Sequence, residues 1–120
     1  MSQHLDFWQQ LDQLARSARL VIDRPAGTHH PRWADIVYPF DYGYLEGTTA
    51  ADGAGIDAWR GSLPDGAVTG IICTVDGLKR DAELKILLGC TAAEMQAICD
   101  FHNAYSQSGV LLPRRGVNHP

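Results

Sequence analysis

Paired cysteines, an excess of basic charge and long apolar runs are all missing from this 120-residue sequence, and each absence removes a class of function. Cys73, Cys90 and Cys99 are odd in number, widely spaced and without a C-x-x-C. That pattern argues against a disulfide framework and against a zinc knuckle. Reduced thiols are expected, and Cys73, inside an apolar run, reads as a small buried hydrophobe. Ten Lys and Arg stand against fourteen Asp and Glu, a formal net charge of -4, so nucleic acid is not an expected partner. The start of the sequence has no basic region followed by an apolar stretch, and no window approaches the ~18 apolar residues of a membrane span. No membrane partner is expected, and the protein reads as cytoplasmic.

What is present suits one α+β domain. With 45% apolar residues the chain can build one hydrophobic core and is too short to divide sensibly, so residues 1–120 read as a single domain. Leu5, Phe7, Trp8, Leu11, Leu14, Ala15 and Ala18 recur at helical spacing, predicting an amphipathic helix within residues 1–18 whose stripe packs on a core or a second subunit. Strands are expected over Arg19–Asp23, Asp57–Arg60, Val68–Val75 and Ala82–Leu88, the last two forming a hairpin. Thr91 followed by Glu94 is a capping box, and the helix it opens should run to Gly109. Residues 109–120 read as a tail in which Val110–Leu112 could add an edge strand. Residues 28–54 hold many glycines and rings without clear periodicity, a long loop of the kind that usually carries function.

Acidic residues sit where strands stop: Asp23, Asp52 and Asp57 around the central loop, Asp76 and Asp81 flanking the hairpin. Aspartate favours turns for local hydrogen-bonding reasons alone. If these strand ends converge, however, their carboxylates raise one another's pKa unless a cation neutralises them. Oxygen donors of this kind suit Mg²⁺ or Mn²⁺, and two such ions can clamp the attacking and leaving oxygens of a phosphoryl transfer.

The stretch YPFDYGYLEGTTAADGAGIDAW resembles the segment of soluble inorganic pyrophosphatases that runs Tyr-Pro-x-Asn-Tyr-Gly, then Asp-Gly-Asp-Pro-x-Asp. Tyr38, Pro39, Tyr42, Gly43, Asp52, Gly53 and Asp57 match in type and spacing. Upstream, VIDRP is similar to that family's strand ending in Glu-x-Pro. Downstream, TGIICTVD and DAELKIL follow its metal-binding hairpin without a gap. The resemblance covers about Leu20 to Leu88. It implies a small five-stranded, OB-like β-barrel with the N- and C-terminal helices outside, a homo-oligomer, and Mg²⁺-dependent hydrolysis of pyrophosphate by a metal-activated water. It further implies Asp52, Asp57, Asp76 and Asp81 as metal ligands with Asp23 nearby. Tyr42, Arg32 and Lys85 take catalytic roles, and Tyr42, Lys79 and Tyr105 face the phosphates.

Departures from the pattern qualify the activity. The family's general base falls on Ala54, whose methyl group accepts no proton, and Gly55 replaces a proline. Asp41 stands for an asparagine, adding negative charge beside Tyr42. An ungapped register puts Glu83 where the family has a lysine; sliding by two residues restores Lys85 and makes Glu83 a metal ligand, and alternation leaves both registers open. The family's Lys-rich hairpin shrinks to GTHHPRWADIV, in which His29 and His30 could substitute as base or simply be exposed. The rival expectations are a non-catalytic module of the same fold that binds a phosphate ligand or metal, and a hydrolase of another small phosphorylated substrate.

Overall fold

The computed structural model describes residues 4–115. Helix α1 (Phe7–Ser17) starts where Asp6 and Gln9 cap each other: the Asp6 carboxylate accepts from the Gln9 N–H at 2.8 Å, and the Gln9 amide oxygen accepts from the Asp6 N–H at 2.9 Å. Strands β1 (Leu20–Arg24), β2 (Asp41–Leu45), β3 (Ile56–Arg60), β4 (Val68–Asp76) and β5 (Asp81–Leu88) follow, then helix α2 (Ala92–Asn103) and strand β6 (Ser108–Pro113). Thr91 and Glu94 form the expected reciprocal cap of α2.

The strands form one sheet in the order β1-β2-β3-β5-β4-β6. Neighbours are antiparallel except β3 and β5, which run parallel with Ala58 opposite Ile86. Consecutive residues on the central strands serve different cores. Trp59, Ile72 and Leu87 pack with Met95 and Ile98 of α2, whereas Ala58, Ile71 and Ile86 pack with Leu11 of α1. Because side chains alternate across a strand, the two helices cover opposite faces. This explains why Ile71 and Ile72 of β4, and Ile86, Leu87 and Leu88 of β5, are apolar in succession.

The structure corrects several expectations. The sheet has six strands and is open, with β1 and β6 at its edges, where a five-stranded barrel was expected. One unforeseen strand is β2, inside the supposed loop. Its Gly43 obscures the pattern, yet the pairing with β1 requires it, since a Cβ there would be driven into the Val21 carbonyl. Helix α2 stops at Asn103 rather than Gly109, because the Asn103 side chain turns back to accept from the Gly109 N–H at 3.0 Å and to donate to the Gly109 carbonyl at 3.0 Å. The edge strand expected at Val110–Leu112 is present as the longer β6, which pairs with β4 from Ser108 to Pro113; residues 116–120 of the expected tail, and residues 1–3 of the expected helix, lie outside the described residues. Most of the stripe of α1 packs inside the fold, with Trp8, Leu14, Ala15 and Ala18 around Leu11, while Phe7 stays 49% exposed.

No helix among the described residues is long and apolar enough to cross a membrane.

Candidate functional site

The site begins with a lysine on a central strand. Lys85 of β5 is flanked by Leu84 and Ile86, which join the α1-side cluster, so alternation turns its stem to the opposite face. Its Nζ donates to the Tyr42 hydroxyl at 2.8 Å, to the Asp57 carboxylate at 3.0 Å and to the Glu83 carboxylate at 2.8 Å. An ammonium has three N–H groups, so all are used. The lysine side chain is only 5% exposed, while the Asp57 and Glu83 side chains are 32% and 33% exposed. Burial by itself pulls the ammonium's pKa down, and the oxygens of Tyr42, Asp57 and Glu83 more than reverse this, so Lys85 stays charged. Burial also raises the Tyr42 pKa, which keeps its phenol protonated.

Two adjoining clefts share Asp57 and Glu83. The larger group of predicted residues converges on one of about 310 Å³, lined by Tyr42, Asp57, Asp76, Lys79, Lys85 and Tyr105. These come from β2, β3, the β4–β5 hairpin, β5 and the segment after α2. The other cleft, of about 300 Å³, gathers Asp52, Asp57, Asp81 and Glu83.

Individual residues depart from expectation. Asp76 has a local role: it accepts from the Leu78 and Lys79 N–H groups at 3.0 and 3.2 Å, closing the hairpin turn, and from the Ser106 hydroxyl at 3.0 Å. The Lys79 bond leads in holding its carboxyl below the usual range. Asp52 accepts from the Ala54 N–H at 3.0 Å, again within its own turn, and Ala54 is exposed. Asp23 is exposed at an irregularity in the β1–β2 pairing and lines neither cleft. Arg32 lines neither cleft, its guanidinium lying 5.0 Å from the centre of the Trp33 ring. Asp41 carries no free charge to the cleft, because Arg60 pairs with it at 2.8 Å and the Ala26 N–H donates to it at 2.9 Å. His30 lines the larger cleft but its Nδ1 accepts from the Arg32 and Trp33 N–H groups at 3.0 and 3.2 Å. Glu83 sits beside Lys85 at the ion pair, while Asp81 faces Asp76 across the hairpin.

Sequence reasoning missed the aromatic wall of the larger cleft. Trp59, Tyr38 and Phe101 pack with ring centres 5.5 to 6.1 Å apart, and Tyr42 lies 4.6 Å from Trp59. The wall also contains His102, whose Nε2 accepts from the Trp59 indole N–H at 3.0 Å. That contact leaves the imidazole proton on Nδ1, which is buried without a partner. Burial, assisted by the Lys85 charge, pushes the His102 pKa down to about 4. Periodicity placed His102 on the buried face of α2, but nothing in the spacing tied it to Trp59.

The acidic residues do not fit a preassembled metal centre. Carboxylate oxygens are suitable donors for Mg²⁺, yet among the described residues no three His, Cys, Asp or Glu side chains are grouped to hold a metal ion. Asp57 and Glu83 are instead committed to Lys85. The lysine is a built-in cation for two of the acids that the cleft brings together.

No protein-family model matches the chain, and no curated protein matches it.

Proposed function

We propose that the chain is a phosphoanhydride hydrolase of the pyrophosphatase type that receives its substrate as a magnesium complex. The carrying observation is the convergence of Tyr42, Lys79, Lys85 and Tyr105 with Asp57 and Asp76 on one cleft, from segments far apart in sequence. Magnesium arrives with the phosphates and offsets their charge. Asp52 and Asp81 line the adjoining cleft and, among the described residues, neither is ion-paired. Lys85 holds Asp57 and the Tyr42 hydroxyl in place, leaving the phenol proton to donate to a phosphoryl oxygen. Hydrolysis adds one water: its oxygen bonds to phosphorus, the bridging P–O bond breaks with its electron pair leaving on phosphate, and a proton is released. Under this reading the open sheet is a divergent form of the family's barrel, and a homo-oligomer follows from the same resemblance.

Phosphate release from pyrophosphate by the purified chain, with and without Mg²⁺, tests the reading. Magnesium-dependent release abolished by Asp57→Asn is expected; absence of release at any Mg²⁺ concentration overturns it. A second reading has its own support. Ala54 supplies no base and every Lys85 proton is already used, which favours a module that binds a phosphate ligand without cleaving it. Calorimetric binding without phosphate release would establish that alternative.

A further inference from the structure

We propose that the phosphates entering the larger cleft belong to a nucleotide, whose base stacks on the aromatic mouth formed by Trp33 and Tyr105. The proposal rests on the reading that this cleft takes a phosphate group, and it names the rest of the molecule.

Charge is the first ground. The cleft is lined by three carboxylates, Asp57, Asp76 and Glu83, against two ammonium groups, Lys79 and Lys85. Lys85 is neutralised within the protein. A bare polyanion finds little attraction here, so most of the affinity must come from another part of the ligand.

The rings supply it. Trp33 and Tyr105 remain 46% and 45% exposed, although both line the cleft. They come from opposite ends of the chain and are held in place from behind. His30 packs on Trp33 with ring centres 5.0 Å apart, and its Nδ1 fixes the Trp33 N–H; Phe101 meets Tyr105 edge to face at 5.6 Å. Exposed, supported rings beside a cation are stacking platforms for a flat heterocycle, and inorganic pyrophosphate has no face to offer them. Arg32, which does not line the cleft, lies over the Trp33 ring and helps to hold it.

Polar groups between the rings separate a heterocycle from a hydrocarbon. The side chains of Gln107 and Ser106 line the cleft beside Tyr105. The Ser106 hydroxyl is already given to Asp76, but a prenyl chain would lie against the Gln107 amide at a cost, whereas a base edge carries donors and acceptors for it. At about 310 Å³ the cleft has the size of a small-ligand site.

Calorimetry with ADP, adenosine and pyrophosphate, each with Mg²⁺, tests the proposal on the intact chain and on Trp33→Ala, Tyr105→Ala and Lys79→Ala. All three substitutions are at exposed positions and circular dichroism should show them folded. ADP is expected to bind at least roughly tenfold more tightly than pyrophosphate, and Trp33→Ala to weaken ADP about tenfold while leaving pyrophosphate unchanged, whereas Tyr105→Ala weakens both and ADP more. Lys79→Ala should weaken both phosphate compounds and spare adenosine. Pyrophosphate binding as tightly as ADP, with ADP indifferent to Trp33→Ala, overturns the nucleotide assignment and leaves the phosphate reading standing. A prenyl diphosphate preferred over ADP does the same. Adenosine binding as tightly as ADP, with Lys79→Ala silent, removes the phosphate reading and this proposal with it.

Discussion

The Lys85 ammonium lies 3.0 Å from the Asp57 carboxylate, a contact made between two strands that run parallel, β5 and β3. Of its partners, Tyr42 lies on the next strand, β2, and Glu83 two residues back on the same face of β5. Four polar groups from three strands thus meet on an otherwise apolar face, one ammonium shared by two carboxylates and a phenol.

Lys85→Met removes the cation and leaves Asp57 and Glu83 without it. The loss should be about 2 kcal/mol, below the ~3–5 kcal/mol of a fully buried pair, because both carboxylates are about one-third exposed. Left together, they acquire a need for a counter-ion. Millimolar Mg²⁺ should therefore raise the melting temperature of this variant more than that of the parent; equal shifts would show that Lys85 does not occupy a cation's place.

His102 makes stability depend on pH. Its folded pKa, about 4, lies below the ordinary 6.5, so between those values the unfolded chain binds a proton that the native one does not. Stability is full above pH 6.5 and falls as pH drops towards 4, with a slope approaching about 1.4 kcal/mol per unit. Urea unfolding across this range should show the slope, and His102→Gln should flatten it.

Asp12 and Arg114 tie α1 to the end of β6 through bonds of 2.7 and 2.9 Å, with Arg114 also over the Trp8 ring. The Arg114 hydrogen bond leads in lowering the Asp12 pKa. Its contribution is present above the unfolded carboxyl pKa and is lost as pH falls through the lower folded one. Asp12→Asn should cost about 1 kcal/mol at pH 7 and close to nothing at pH 2, measured by denaturant unfolding.

Ala54→Asp restores the carboxylate that the resemblance places there. If hydrolysis is slow only for want of a base, phosphate release should rise, up to the roughly 10²–10⁴-fold that a positioned base supplies, with the optimum moving towards neutrality. Rates equal to the parent's would favour the binding module.

Gly43→Ala tests the β1–β2 pairing. A Cβ at this position meets the Val21 carbonyl and the Ile22 backbone, neither of which can yield without moving β1. A loss of about 1–3 kcal/mol is expected by thermal unfolding; an unchanged melting temperature would mean that β1 is not held as described.

Local rules made much of this protein legible in its sequence. The Thr91–Glu94 cap, the Asp76–Asp81 hairpin and the strands at 20–24, 56–60 and 68–88 depend on neighbours a few residues apart, and periodicity records such relations. The site residues Tyr42, Asp57, Lys79, Lys85 and Tyr105 were also chosen from sequence, through spacing and resemblance. Only the tertiary structure decided what they do together. Strand β2 escaped notice because the demand for Gly43 comes from β1, twenty residues away. The Lys85–Asp57 ion pair exists because β3 and β5 pair in parallel, a relation that no spacing in the chain records. The aromatic mouth arises where a loop before β2 meets the segment after α2. Contacts between distant segments leave no period in the chain, so sequence supplied the groups and packing supplied their partners.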